Sequence, residues 1–318
     1  MNGAGAQQII VIAVIILLAI FFSIKSDSFA KYSTFVTMSN FMYYILLMAI
    51  GVTFPLITGG VDLSMGTGLV CYSIVGSYVM NYMGFPVGVG IAVTLLFSLV
   101  VGFTNGMVVA KLELPPFIAT LCTMMIVRGL GSILTGSKTG VWPMAGTEGG
   151  WVRSIFKITV NGTIIPIGII WMVILLITMT IILKKTMIGR YIIAIGSNKE
   201  ALRLSGVNVV RWHVMAYVIS GFFSGLAAIA YACTFSSITP GTGAGFELDA
   251  IGAVIIGGTS PTGGSGTIFG TLLGVLLISL LKTGLPFIGL QANWQQIITG
   301  IILLGAVTVD IYKRKKAE

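Results

Sequence analysis

Long apolar runs recur along the whole chain, separated by short segments rich in glycine, proline or charge. Eight runs approach or reach the roughly 20 residues of a membrane-spanning helix: 7–24, 41–58, 63–80, 87–109, 114–134, 164–183, 213–233 and 293–311. Two shorter runs, 250–257 and 267–281, flank the glycine-rich segment Gly257–Thr267. The pattern therefore predicts about ten spanning or partly spanning helices, within a range of about eight to eleven.

Composition agrees with a chain that lies in a membrane. Hydrophobic residues make up 56% of the 318 residues and charged residues only 8%, whereas a soluble domain carries about 25% charged residues. The apolar runs are also too long for the strands of a membrane barrel. The sequence predicts an all-α integral membrane protein: one transmembrane domain over residues 1–318, built as a polytopic helical bundle with broken, glycine-rich helices.

Basic residues cluster in two places, and these set the predicted orientation. Segment 184–212 holds six of the 18 lysines and arginines, and the tail 313–316 holds four more. Because cytoplasmic loops are enriched in Lys and Arg, both segments are placed in the cytoplasm, and counting backward places the N-terminus there too. The net charge of +9 thus reflects topology in a cytoplasmic (inner) membrane and does not indicate nucleic-acid binding.

The stretch GRYIIAIGSNKEALRLSGVNV, residues 189–209, carries charge in the middle of an apolar sequence. Ser197 and Glu200 have the spacing of a capping box, in which each side chain bonds a backbone amide of the first turn. Gly206 stands where a left-handed residue ends a helix. These signals predict a helix over Asn198–Ser205. So short a helix is marginal alone, and it is either a docking element for a partner, which we favour, or a solvated connector.

Two glycine-rich stretches, GGVDLSMGTG (59–68) and GGTSPTGGSGT (257–267), interrupt the apolar pattern. Irregular backbone at membrane depth is tolerated only where protein or water surrounds it, and transporters often place their pathway at such breaks. The polar residues of the breaks are therefore candidates for the translocation path or its gate: Asp62, Ser64, Thr67, Thr259 and Ser260. The alternative is a pair of ordinary cytoplasmic turns, in which Asp62 only caps the next helix.

Arg128 lies more than halfway along the run 114–134, where a charge is costly and is usually paired or functional. Glu247 and Asp249 lie near the outer end of the run 250–257. We predict a buried ion pair between Arg128 and one of these two acids. The alternative is that Arg128 extends to the outer lipid headgroups.

Four stretches, in this order, resemble the monosaccharide permeases of the ribose and galactose class of ABC importers: GGVDLSMGTGL (59–69), PPFIATLCTMMIVRGL (115–130), the charged stretch 189–209, and ELDAIGAVIIGGTSPTGGSGTIFGTLLGV (247–275). Glu200-Ala201-Leu202 followed by Gly206 also resembles the EAA-loop signature of importer permeases, with Leu in place of the usual second Ala. The resemblance implies a transport subunit, not an enzyme, that translocates a small sugar.

The resemblance also implies partners. These are a second permease subunit, identical or paralogous, two cytoplasmic ATP-binding subunits, and a periplasmic or lipid-anchored sugar-binding protein. ATP and Mg²⁺ are expected on the partner ATPase, and this chain is expected to bind no cofactor or metal. The binding protein is expected to dock on outer loops that include 135–163 and 234–249.

In this family a short cytoplasmic helix couples closure of the ATPases to the membrane domain. The resemblance therefore implies that 184–212 is the cytoplasmic coupling loop of this chain. The residues assigned to the ATPase contact are Ser197, Asn198, Glu200, Ala201, Arg203 and Gly206.

Other classes of function find less support in the residues. An ion-coupled secondary transporter needs titratable groups buried in its spans, and the candidates here are Arg128 and Asp62. An intramembrane enzyme needs a nucleophile with a base, or a set of metal ligands, and the sequence shows neither. GSILTGSKT, residues 131–139, misses the P-loop pattern because its lysine stands one place late. The solute stays open: a sugar, a nucleoside, or another polar small solute such as an inositol.

Overall fold

A computed structural model describes residues 3–235 and 237–315 of the chain, and most of them are helical. The helices are α1 (Gly3–Lys25), α2 (Tyr32–Ile57), α3 (Ser64–Asn81), α4 (Val87–Ala110), α5 (Pro116–Thr135), α6 (Gly168–Lys185), α7 (Met187–Leu204), α8 (Val209–Thr234), α9 (Phe246–Ile256), α10 (Ile268–Gly284) and α11 (Ala292–Lys315). Each predicted apolar run overlaps one of α1–α6 or α8–α11, and the charged stretch belongs to α7. Lys316 of the basic tail lies outside the described residues.

Seven of the described helices are long and apolar enough to cross a membrane: α1 (from Gln7), α2, α4, α5, α6, α8, and Ile268–Ile288, which contains α10. The chain is therefore a multi-pass helical membrane protein. α9 has 11 residues and is about 16 Å long, roughly half the thickness of a bilayer core. The total of about ten spanning or partly spanning helices goes beyond these seven and stays a prediction.

α2 and α8 are among the most buried helices of the bundle. Every residue of α2 from Tyr43 to Ile57 is buried, as expected for a helix that is apolar on all sides. Small residues let α8 approach its neighbours closely: a Cβ added at Gly51 of α2 would lie 2.8 Å from Phe223 Cβ, and one added at Gly102 of α4 would lie 2.9 Å from Gly221 Cα. The close contact of α2, α4 and α8 fixes the frame that holds the breaks.

The longest connection, between α5 and α6, is folded rather than loose. It contains a 3-10 turn (Gly150–Ile155) and a hairpin of β1 (Ile158–Val160) and β2 (Thr163–Ile165), paired antiparallel with Ile158 opposite Ile165. The sequence pattern did not predict this hairpin.

Candidate coupling and translocation site

The short charged helix is the second half of α7, and it begins at Asn198. The φ/ψ angles of Asn198 are −161°/94°, which interrupts the helix there. Asn198 Oδ1 accepts a hydrogen bond from Ala201 N at 2.9 Å, whereas Ser197 Oγ donates to Ile193 O at 3.0 Å. The predicted capping box at Ser197 and Glu200 is therefore wrong: Asn198 is the cap, because Ser197 still belongs to the preceding helical segment.

The predicted end of this helix is confirmed. Gly206 has a φ of +81°, a conformation that glycine adopts without steric cost, and its N–H donates to Arg203 O at 3.1 Å. Glu200 and Arg203 form an ion pair at 3.8 Å while staying 66% and 75% exposed. Leu204 is 81% exposed. Because an exposed pair contributes only about 0–1 kcal/mol, these side chains are free to form contacts with another protein.

The first half of α7, directly before this charged helix, packs against both glycine-rich breaks. Gly264 N, in the second break, donates to Ile57 O, at the end of α2, at 2.8 Å. Gly196 of α7 lies against both groups, and a Cβ added there would collide with Ile57 O and Gly264 N. Gly263 has a φ of +89° and packs against Gly59 and Gly196. We call Gly59, Gly196, Gly263 and Gly264, with Ile57 O, the glycine seam.

A second contact ties the short helix to the loop between α4 and α5. Lys199 Nζ lies 3.9 Å from Glu113 Oε1, and both side chains are substantially exposed. Glu113 has a φ of +56°, a conformation that is uncommon for a residue other than glycine. α7 as a whole therefore touches three separate connections of the bundle: its first half touches both breaks, and Lys199 of the charged helix touches the loop between α4 and α5.

Asp62 lies inside the bundle, with 1% of its surface exposed. Its Oδ1 accepts from Ser64 N at 3.0 Å and from Ser64 Oγ at 2.6 Å, and its Oδ2 accepts from Ser220 Oγ at 2.7 Å. Asn105 Nδ2 of α4 donates to Ser64 Oγ at 2.9 Å. Asp62 thus holds the start of α3, as the capping alternative predicted, and also joins that start to α4 and α8. Ser220 stands near the middle of α8, so the network is not a surface turn.

The other path candidates are buried but do not all lie together. Thr67 lines a small cleft beside Arg128 and Cys71. Thr259 and Ser260 are 1% and 3% exposed in the second break. Ser260 N donates to Ser265 O at 3.1 Å, which closes that loop.

The predicted ion pair of Arg128 is wrong. Among the described residues the salt bridges are Lys199–Glu113, Arg203–Glu200 and Lys282–Asp249, and none includes Arg128. Arg128 is exposed beside Gly241. Asp249 binds Lys282 of α10 instead, and both side chains are less than a tenth exposed. Sequence reasoning missed Lys282, although a lysine immediately after the run 267–281 was a signal for it.

Glu247 likewise forms no salt bridge within the part of the chain that the structure describes. Its Oε1 accepts from Gly245 N at 3.0 Å, and its side chain packs against Gly66 of α3. The first turn of α9 is therefore held between α3 on one side and Lys282 of α10 on the other.

The two loops that the sequence places outside the membrane, as docking sites for a binding protein, are joined to each other. Gly140 and Ile238 form a bridge with N–O distances of 2.8 and 2.9 Å. Arg153 donates to Pro143 O, Trp142 O and Cys233 O at 2.8, 3.2 and 3.1 Å. Loop 135–163 and the end of α8 therefore form one ordered surface.

These features define a class: a multi-pass helical bundle whose irregular, glycine-lined segments converge on α7, a helix that ends in an exposed charged segment. A family described as "branched-chain amino acid transport system / permease component" matches residues 34–307, and the chain belongs to this family.

Curated relatives cover most of the chain. The ribose import permease protein of Haemophilus influenzae is 36% identical, over 95% of this chain and 92% of that protein. The ribose import permease protein of Bacillus subtilis is 38% identical, over 85% of this chain and 81% of that protein. The fructose import permease protein of Bifidobacterium longum is 34% identical, over 84% of this chain and 79% of that protein. The resemblance to monosaccharide permeases is confirmed. No solved structure matches the chain.

Proposed function

We propose that this chain is the membrane-spanning permease subunit of an ATP-driven importer, and that it translocates a small sugar delivered by an extracytoplasmic binding protein. The family description mentions amino acids, but the relatives that cover most of the chain are named for ribose, galactose and fructose import. These names favour a sugar as the solute. ATP and Mg²⁺ are held by partner ATPases, and two permease subunits complete the membrane part.

The proposed arrangement in the membrane follows from charge and helix order. Segment 184–212 and both termini lie on the cytoplasmic side of a bacterial inner membrane. The joined loops 135–163 and 234–249 lie on the outer side and face the binding protein. α1–α6 and α8–α11 then supply about ten spanning or partly spanning helices, of which α9 reaches only part of the way.

The contact of the first half of α7 with both breaks, directly before the charged helix, is the observation that carries the coupling role. An ATPase docked on the exposed side chains of Asn198–Gly206 would move α7 as it closes. Gly196 meets Gly264 and Ile57 backbone to backbone, and Gly263 packs against both Gly196 and Gly59. That movement would therefore reach both breaks. Asp62 and its hydroxyl partners would then take part in the change of access, since they anchor α3 to α8.

Co-purification tests this proposal. The chain is expressed with an ATPase encoded beside it, extracted in mild detergent, and compared with the double variant Glu200→Lys plus Arg203→Glu. We expect wild type to carry a stoichiometric ATPase and the double variant to lose it. The matched control is Lys25→Asp plus Asp27→Lys, another net-neutral swap of exposed charges, located at the end of α1 and just after it; it should keep the ATPase.

The absence of any associated ATPase in wild type would refute the importer. An ion-coupled transporter would then be tested next, starting with substitutions of Asp62.

A further inference from the structure

A cavity of about 330 Å³ opens between α9 and α11, within the range of about 300–1,000 Å³ that is typical of small-molecule sites. Its walls are mainly apolar, with three polar side chains, from Asp249, Gln296 and Thr299. Gly245 and Gly300 leave space on two sides. A mostly apolar cavity with a few convergent polar groups is the common form of a small-molecule site.

Thr299 is the most informative of these residues. Its side chain is buried, with 6% exposed, and its Oγ1 has no hydrogen bond within the described residues. Other buried helix threonines donate to the carbonyl four residues earlier, as Thr53 does to Ala49 O at 2.7 Å and Thr234 to Ala230 O at 2.6 Å. A buried hydroxyl without a partner costs about 1–3 kcal/mol. Thr299 lines the cavity, so a ligand held there would supply the missing bond.

Asp249 supplies the opposite wall. Its charge is balanced by Lys282, whose ammonium also lies 5.4 Å from the centre of the Phe246 ring. The polar part of the cavity therefore offers carboxylate, hydroxyl and amide groups with no net charge. Such a set suits a neutral solute with several hydroxyl groups better than an anion or a cation.

The position of the cavity relates it to transport. α9 connects the outer segment 234–245 to the second glycine-rich break. A solute held beside the first turns of α9 would lie between the docking surface and the seam. We propose that this cavity is a transient binding site for a neutral polyhydroxylated solute, with hydroxyl groups bonded to Thr299 and Asp249. This inference rests on the proposed function.

Cysteine labelling tests the site. The exposed Cys122 is first replaced by serine, since Cys71 and Cys233 are buried. Gln296→Cys, in the cavity, is compared with Gln291→Cys, which is exposed just before α11. Membranes that contain the whole transporter are treated with a water-soluble maleimide in the presence of D-ribose, D-galactose, D-fructose or L-leucine. We expect one sugar to slow labelling at position 296 by at least about threefold and to leave position 291 unchanged.

Three outcomes would overturn the site: no labelling at 296, equal protection at both positions, or protection by leucine alone. Sugar uptake measured in parallel separates the two proposals. Uptake without protection at 296 would leave the permease role standing and reject the cavity, whereas no uptake of any sugar would reject the sugar permease itself.

Substitutions at Thr299 give an independent measurement. Thr299→Val should lower uptake roughly fivefold, equivalent to one hydrogen bond, while ATPase co-purification stays complete. Thr299→Ser should restore uptake, because the hydroxyl returns. The matched control is Thr308→Val, on the exposed part of the same helix, which should keep wild-type uptake. Equal effects of Val and Ser at position 299 would contradict a role for the hydroxyl.

Discussion

Replacing Gly196 by alanine is the sharpest test of the proposal that movement passes from α7 to the breaks. The added methyl group would collide with Ile57 O and Gly264 N, which already bond each other at 2.8 Å. Both groups belong to backbone, so no rotamer change can make room. The seam must open by on the order of 1 Å to restore van der Waals contact.

The expected cost in stability is moderate. Overpacking of this kind costs about 1–3 kcal/mol, and loss of the bond between Gly264 N and Ile57 O would add about 1 kcal/mol. Alanine recovers up to about 1 kcal/mol through its higher helix propensity. The net destabilisation is therefore about 1–3 kcal/mol. The variant should fold and still co-purify with the ATPase, because the exposed helix is unchanged.

Transport should suffer more than stability. We expect sugar uptake to fall at least about tenfold, and the ATPase to lose its stimulation by loaded binding protein, because an opened seam no longer passes displacement on to both breaks. The assay is uptake and ATP hydrolysis in reconstituted vesicles. Gly129→Ala is the control, since that helix glycine has no heavy atom within 4 Å of an added Cβ. Wild-type uptake and stimulation in Gly196→Ala would refute the reasoning.

Three further changes test the described contacts. Asp62→Asn removes a carboxylate that accepts hydrogen bonds from Ser64 and Ser220. We expect about 1–3 kcal/mol of destabilisation, measured as a lower midpoint of thermal unfolding in detergent. An unchanged midpoint would count against the network. Lys282→Met leaves Asp249 buried and unpaired, which should lower the free energy of unfolding by about 3–5 kcal/mol. Adding Asp249→Leu should restore the midpoint of thermal unfolding. The control Arg128→Met alone should leave the midpoint unchanged. Arg153→Ala removes three bonds to backbone carbonyls, and limited proteolysis should then cut loop 135–163 faster than in wild type, with Glu148→Ala as the control that keeps its protection.

The sequence predicted the parts of this fold that depend on local pattern. Apolar runs located the helices, including the short α9, and glycine at position 206 located the end of the charged helix, because these signals act within a few residues. The cap is Asn198 and not Ser197 because the preceding helical segment includes Ser197. Ser197 therefore bonds within that segment, and Asn198 is the side chain that bonds the amide of the next turn.

Pairings between distant segments could not be predicted in the same way. Arg128 and Lys282 both offered a cation for Asp249, and only the packing of α9 against α10 decides between them. The Asp62 network likewise needs Ser220, which is 158 residues away and is one of many serines in apolar runs. The site role of the residues in both breaks stays a prediction, and the experiments above address it.

Under the proposed coupling, the glycine seam would let an exposed, weakly anchored helix act on the interior. Side-chain contacts absorb small movements, since each side chain can rotate to another staggered position. Contacts between glycine backbones leave no such freedom, so a displacement of Gly196 must displace Ile57 and Gly264 as well. α7 can therefore keep the side chains of its second half free for a partner while its first half is tightly fitted to both breaks. This division of one helix at Asn198 predicts that substitutions after the kink affect ATPase association, and that substitutions before it affect transport by an assembled complex.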